Sequence, residues 1–174
     1  MIKNTNLLFL LLFATVLNCG SQSKKNQNFY GWYYAPKSDI SIDLLPPNIY
    51  KLKETKAMDF DNFIEYELSS GTFKKVNNEL SLTENKTGKL MSLFISNDEI
   101  LVVKNVKKLK PKDKLVVGMK YYNNGNKKFQ GRWENYKKEH SWQYWDENGN
   151  EKYYINFKNG IPIDTVLPRK NKNS

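Results

Sequence analysis

Cysteine and histidine are almost absent from the chain of 174 residues, which has one of each, Cys19 and His140. One cysteine excludes an intramolecular disulfide, and a lone histidine cannot complete the Cys/His ligand set of a zinc site. The sequence contains no glycine-rich phosphate-binding loop and no visible pair of nucleophile and base. It therefore predicts a protein that is not an enzyme and has no metal or cofactor, with His140 in a loop.

Arginine is also scarce. Of 28 basic residues, 26 are lysine and only Arg132 and Arg169 are arginine, and the net charge is +10. Nucleic-acid recognition favours the guanidinium fork of arginine, and the lysines are spread along the whole chain, so we expect no nucleic-acid partner. The densest stretch, Lys104–Lys120, is interpreted as a solvated connection, with contact to anionic head groups or glycans as the alternative. The candidate residues for such contacts are Lys107, Lys108, Lys110, Lys112 and Lys114.

Long apolar runs and apolar helical stripes are missing as well. The apolar run Leu7–Leu17 is too short to span a bilayer as a mature helix. No segment keeps an i, i+3, i+4 apolar spacing over a long stretch, and the nearest to one, Lys53–Phe60, is short. The sequence therefore predicts a mostly β fold with little helix.

The N-terminus has the parts of a bacterial export signal. Lys3 precedes the apolar run, which ends at Val16-Leu17-Asn18-Cys19, and this junction resembles the lipobox of bacterial lipoproteins. The resemblance implies a signal peptide over residues 1–18 and a lipidated Cys19 that holds the protein on a membrane. An ordinary secretory signal with an incidental cysteine is the alternative.

The residues after the cysteine predict a flexible tether and a cellular location. Residues 19–28 are small and polar, which predicts a flexible segment that cannot pack. Gly20 stands where many lipoproteins that stay in the inner membrane have Asp. By the same resemblance, we expect a lipid-anchored protein of the cell envelope, at the outer membrane of a Gram-negative bacterium.

The clearest internal pattern is a repeat with a period of 24 residues in the stretch 120–160. Gly125 aligns with Gly149, and Phe129 aligns with Tyr153. Each unit has an aromatic residue, an Asn-Gly hairpin turn and an alternating aromatic strand. Because side chains alternate along a strand, the large aromatic residues share one face. The pattern predicts successive β-hairpins.

Four short motifs carry a resemblance to a known repeat. Y-Y-N-N-G at 121–125, W-D-E-N-G at 145–149, G-x-W at 131–133 and W-x-x-W at 142–145 resemble the MORN-repeat variant of YwqK-like antitoxin proteins. The resemblance implies β-hairpin arrays that act as binding or scaffolding surfaces. We therefore expect a non-enzymatic binding or scaffolding role, with an envelope protein or a glycan as partner. An antitoxin or immunity role is one alternative.

Residues 29–113 alternate in the manner of antiparallel strands. Pro46-Pro47-Asn48 interrupts the alternation, and a hairpin is expected around Asn77-Asn78 with Leu80 and Leu82 inward. The order of these segments, including the G-T-F at 71–73, resembles small lipocalin-like lipoprotein β-domains. The resemblance implies an antiparallel meander or partial barrel that the C-terminal β-hairpin repeats continue. A carrier of a small apolar ligand is the second alternative.

Two hairpins alone cannot bury their own aromatic face. We therefore expect the repeats, residues 114–168, to pack on the N-terminal part as one β body, followed by a disordered tail over residues 169–174. Residues three apart on a strand point to opposite faces, so Trp142 is assigned inward and Trp145 outward. Tyr154 is also assigned outward, and we predict Trp145 and Tyr154 as contact residues.

Overall fold

The computed structural model describes residues 28–59 and 62–167. All regular structure in these two ranges is β strand, and none of it forms a helix that could cross a membrane. The expected signal peptide, the lipidation site Cys19, the tether up to residue 27 and the tail at 169–174 lie outside the described residues.

Twelve strands follow one another along the chain. They are β1 (Gly31–Tyr34), β2 (Ile40–Leu45), β3 (Ile49–Asp59), β4 (Asn62–Val76), β5 (Glu79–Glu84), β6 (Leu90–Ile95), β7 (Ile100–Asn105), β8 (Lys114–Tyr121), β9 (Lys127–Glu134), β10 (Lys137–Trp145), β11 (Glu151–Lys158) and β12 (Ile161–Val166). Each strand pairs with the next, and β1 also pairs with β8. The first eight strands therefore close into an antiparallel barrel, and β9–β12, here called the extension, continue the sheet outside it.

This architecture confirms the predicted fold class of a mostly β meander and barrel continued by C-terminal hairpins. The segment with the nearest approach to a helical pattern, Lys53–Phe60, lies in β3 as far as Asp59. The predicted turn at Asn77-Asn78 joins β4 to β5, where Val76 pairs with Glu79. Leu80 and Leu82 are buried as expected.

Strand β8 joins the barrel to the extension because it pairs with three strands. One edge pairs with β1, from Gly31 opposite Lys120 to Tyr34 opposite Val116. The other edge pairs first with β7 and then, from Met119 onward, with β9. The strand that the sequence assigned to the repeats therefore also closes the barrel.

The barrel interior is filled by alternating side chains, as is common in small barrels. Its fully buried members are Tyr33, Ile42, Leu44, Tyr50, Leu52, Leu80, Leu82, Leu93, Leu101, Leu115 and Val117. The hydroxyl groups of Tyr50 and Ser69 form a hydrogen bond of 2.8 Å inside this core. A packed interior of this kind has no room for a ligand among the described residues.

The two repeat units share one turn geometry. The N–H of Gly125 donates to the carbonyl of Tyr122 at 3.0 Å, and the N–H of Gly149 donates to that of Asp146 at 3.1 Å. Both glycines have a φ of 87°, a left-handed conformation that glycine adopts at little cost. The period of 24 residues in the sequence therefore corresponds to a repeated local structure.

Two-residue turns close the other hairpins of the extension. Asn159 and Gly160 both have positive φ, at 53° and 82°, as the Asn-Gly pair predicts. Asn135 and Tyr136 make the same kind of turn between β9 and β10, with φ of 48° and 61°. The sequence did not predict this second turn, because a tyrosine rarely adopts positive φ.

The prediction that His140 lies in a loop is wrong. His140 lies inside β10 with a φ of 58°, where the register with β9 shifts between Glu139 and Gln143. This shift is a β-bulge that adds two residues to β10, because Glu139 and Gln143 are four residues apart whereas their partners Arg132 and Gln130 are two apart. The exposed imidazole points to Glu134, with Nε2 at 3.0 Å from Oε1.

Candidate functional site

Five residues lie directly opposite one another on five neighbouring strands. Trp32, Met119, Gln130, Gln143 and Tyr154 lie on β1, β8, β9, β10 and β11. Residues in register on adjacent strands project from the same face of a sheet. We call these five residues the outer row, because they face away from the aromatic core of the extension. The row is about 19 Å long, since neighbouring strands lie about 4.8 Å apart.

The outer row lines an open groove of about 340 Å³. The other lining residues are Gly118, Gly131, Arg132 and Ser141. A Cβ at Gly118 would lie 2.4 Å from the Trp32 ring, so glycine is what allows the indole to lie against β8. Tyr34 stacks on the same indole, with ring centroids 4.9 Å apart. Trp32 is therefore held in a fixed position at one end of the groove.

Tyr154 is held at the other end by a small polar network. Its hydroxyl donates to the Glu151 carboxylate and accepts from Gln143 Nε2 at 3.1 Å. Gln143 Nε2 also donates to the same carboxylate. The hydrogen bond to Glu151 raises the pKa of Tyr154, so the hydroxyl keeps its proton over the physiological range.

The centre of the groove presents polar groups that the described residues do not occupy. Gln130 Oε1 accepts from Lys127 at 3.2 Å, which leaves the Gln130 amide nitrogen as a donor. Gln143 uses its amide nitrogen in the network around Tyr154, which leaves its oxygen as an acceptor. The side chain of Arg132 is 73% exposed, and its Nε lies 3.7 Å from the Glu134 carboxylate. The groove therefore offers both donors and acceptors between two aromatic rings.

Only one of the two predicted contact residues belongs to this groove. Tyr154 and Trp145 are both half-buried, but Trp145 does not line the groove. A bulge between Tyr144 and Trp145 shifts the register with β11. The Trp145 ring instead lies 5.4 Å from the ammonium of Lys127.

The inner face of the extension carries the aromatic cluster that the repeat predicts. Trp142, assigned inward, has no exposed surface. The ammonium of Lys138 lies 4.4 Å from the Trp142 ring centroid and also approaches the rings of Phe129, Trp133 and Phe157. Lys138 also forms an ion pair of 2.7 Å with Glu99. Because Glu99 precedes β7 of the barrel, this contact ties the extension to the barrel.

The pairing of β8 with β9 covers only Met119–Tyr121, and two side-chain contacts connect the strands on the N-terminal side of Met119. Trp133 Nε1 donates to the Val117 carbonyl at 2.7 Å. The Tyr34 hydroxyl accepts from the Trp133 N–H at 3.0 Å. These bonds satisfy polar backbone groups of Val117 and Trp133, and they connect β9 to β8 and β1 where the ladder between β8 and β9 has ended.

The lysine-rich stretch lies mainly in the loop between β7 and β8. The side chains of Lys107, Lys108, Lys110, Lys112 and Lys114 are all exposed. Lys108 forms an ion pair of 2.6 Å with Glu54, and the ammonium of Lys114 lies 5.6 Å from the Tyr136 ring. The loop is separated from the groove because it lies at the Tyr34 end of β1.

One lysine is buried, in contrast to that loop. Lys120 Nζ donates to the Tyr33 hydroxyl at 2.7 Å and to the Asp98 carbonyl at 2.8 Å. Burial lowers the pKa of Lys120 to about 8. Only 4% of its surface is exposed, so it cannot contact a large ligand and its role is in the barrel core.

The sequence signals missed most of the groove. Trp32, Gln130 and Gln143 were not among the predicted site residues. Trp32 joins the row through the closure of β1 on β8, and Gln130 meets Gln143 only after the register shift between Glu139 and Gln143. The described residues contain no group of three or more His, Cys, Asp or Glu placed to hold a metal ion. Comparisons of the chain with protein-family models, with curated proteins and with solved structures found no match.

Proposed function

We propose that the protein is a lipid-anchored, non-enzymatic binding protein of the bacterial envelope. The outer row is its binding surface, and the extension of β-hairpin repeats supplies three of the five residues. The observation that carries this proposal is the open groove with unoccupied polar groups between Trp32 and Tyr154. Polar groups between partly exposed aromatic rings are typical of contact sites. The proposed envelope location rests on the lipoprotein-like sequence of the N-terminus.

The described part of the chain begins at one end of the barrel. Asn28, the first described residue, bonds to the Tyr121 carbonyl through Nδ2 at 2.9 Å. The loop of residues 106–113 lies at the opposite end of the barrel, because β1 and β8 are antiparallel. The described chain begins on the Tyr121 side, and the proposed anchor is joined to it by residues 19–27, which can extend about 30 Å. The lysine-rich loop is interpreted as a solvated connection because its lysine side chains are exposed and Lys108 pairs with Glu54.

The carrier alternative receives less support from the fold. A carrier of a small apolar ligand needs an enclosed apolar cavity. The barrel interior is filled instead by tightly packed side chains such as Tyr33, Tyr50 and Leu93, which have no exposed surface. A surface role therefore fits the described residues better than transport inside the barrel.

We expect Cys19→Ala to move the protein from the membrane fraction to a soluble or unprocessed form. The physical reason is that the acyl chains attached to this cysteine supply the membrane affinity. Fractionation of cells that produce either form, followed by gel migration, measures the change. Unaltered fractionation and migration would contradict the lipoprotein part of the proposal and would leave the groove untouched.

We expect a photo-crosslinking phenylalanine analogue at Tyr154 to capture a partner in intact cells. The analogue keeps the ring at the end of the groove, within reach of any bound molecule. The matched control is the same analogue at Lys86, which lies exposed in the turn between β5 and β6. Equal adducts from both positions, or none from Tyr154, would contradict a binding role for the outer row.

A further inference from the structure

We propose that the outer row binds an extended glycan chain that crosses strands β1 and β8–β11. The inference rests on the proposed binding function and names the class of ligand. Trp32 and Tyr154 are the terminal contacts, and Gln130, Gln143 and Arg132 hold the hydroxyl groups between them.

The chemistry of the groove matches that of a sugar chain. Each sugar ring has hydroxyl groups that both donate and accept hydrogen bonds, and C–H faces that pack on aromatic rings. Gln130 offers its amide nitrogen as a donor, and Gln143 offers its amide oxygen as an acceptor. The half-buried Trp32 ring is already fixed by Tyr34, so binding does not have to order it.

A peptide strand finds no backbone partner in this groove. Peptides that add to a sheet need a strand with a free edge. Each strand of the outer row is paired on both sides at that position: Trp32 between β2 and β8, and Tyr154 between β10 and β12. A peptide lying across the row therefore could not add to the sheet as a further strand, and it would lose the main-chain ladder from which such peptides gain affinity.

Nucleic acid is disfavoured by the charge of the same groove. Arg132 lines the groove, and Lys127 lies beside it through its bond to Gln130. Proteins that bind nucleic acid neutralise several phosphates with closely spaced cations, and two cations, of which Arg132 already lies 3.7 Å from the Glu134 carboxylate, do not meet that need. Most of the lysine charge lies elsewhere, including the loop of residues 106–113.

The shape of the groove favours a chain over a single small molecule. The groove is shallow and open, and the outer row runs for about 19 Å across strands spaced about 4.8 Å apart. A small ligand would contact one end only. A linear glycan reaches both aromatic rings and passes over the two glutamines between them.

The test uses two linear oligosaccharides, cellohexaose and chitohexaose, titrated into the full-length protein in detergent. Tryptophan fluorescence and calorimetry report binding. We expect at least one of them to bind at millimolar or lower concentration. Trp32→Ala and Gln130→Ala should each weaken that binding by about tenfold or more. The matched control, Phe94→Ala, removes a partly exposed aromatic ring on β6 that does not line the groove and should leave affinity unchanged.

The outcomes separate this inference from the function on which it rests. If neither sugar binds while the analogue at Tyr154 captures a protein in cells, the glycan inference fails and the binding function stands. If neither sugar binds and no adduct forms, both fail. Sugar binding that Trp32→Ala and Gln130→Ala leave intact would also overturn the assignment to the outer row. Gln130 is exposed, so its variant keeps the test valid even if Trp32→Ala does not fold.

Discussion

A chain that ends at Lys112 should lose cooperative thermal unfolding, whereas a chain that ends at Asn123 should keep it. The first chain lacks β8, whose Leu115 and Val117 are fully buried in the barrel. Without β8, the edges of β1 and β7 have no partner, and the core between them opens to water. The second chain retains all eight barrel strands, because β8 ends at Tyr121.

The chain ending at Asn123 should nevertheless melt at a lower temperature than the full chain. It loses the hydrogen bond from Trp133 to the Val117 carbonyl and the ion pair between Lys138 and Glu99. Circular dichroism and calorimetry of the three chains measure the transitions. A sharp transition for the chain ending at Lys112 would mean that closure by β8 is dispensable. The buried residues of barrel and extension form one cluster, and a broad transition for the chain ending at Asn123 would mean that the barrel cannot fold cooperatively without the extension.

Local signals explain why the hairpins could be predicted. The Asn-Gly turns and the alternation of aromatic residues depend on neighbours in sequence, and the fully buried Trp142 follows from that alternation. The bulge at His140 breaks the alternation without a sequence signal. Its geometry is set by packing, since the Trp142 ring lies where a Cβ on Gly131 would be, within 2.1 Å.

The groove could not be predicted, because it depends on contacts between distant parts of the chain. Trp32 reaches the outer row only because β1 pairs with β8, the last strand of the barrel. The sequence identified Tyr154, which belongs to the repeat, and Trp145, which a bulge shifts out of register with the row. Patterns within a strand assign a residue to a face, whereas the register between strands decides which residues meet.

Lys120→Met should stabilise the protein at pH 7 and remove a rise in stability between about pH 8 and pH 10. The Lys120 ammonium is buried with only neutral oxygen atoms as hydrogen-bond partners, the Tyr33 hydroxyl and the Asp98 carbonyl. Burial of a charge without an ion-pair partner opposes folding. Methionine has a similar length and no charge. The Tyr33 hydroxyl would still donate to the Phe29 carbonyl at 3.2 Å.

The direction of the pH dependence follows from the pKa of Lys120 in the two states. Burial lowers this pKa to about 8 in the folded protein from an ordinary value of 10.5. Between these values the unfolded chain binds more protons than the folded one, so the free energy of unfolding rises with pH. The full rise is on the order of 3 kcal/mol, at about 1.4 kcal/mol for each pKa unit.

Tyrosine ionisation sets the upper pH limit of the rise in the free energy of unfolding. Burial raises the pKa of Tyr144 to about 12 and raises the pKa of Tyr33 as well. Unfolded tyrosines lose their protons near pH 10, so the free energy of unfolding should fall above that pH. The unaltered protein should therefore be most stable between about pH 9 and pH 10.

Urea unfolding at pH 7, 8, 9 and 9.5 distinguishes this account from a simple packing effect. Lys120→Met should gain on the order of 3 kcal/mol at pH 7, the cost of keeping the buried amine charged, and its stability should then stay level up to pH 9.5. Lys114→Met is the matched control, because Lys114 lies exposed on the same strand, and it should follow the unaltered protein at every pH. If Lys120→Met showed the same rise as the unaltered protein, another group would be responsible. If it were less stable at pH 7, the two hydrogen bonds of Lys120 would outweigh the cost of burying its charge.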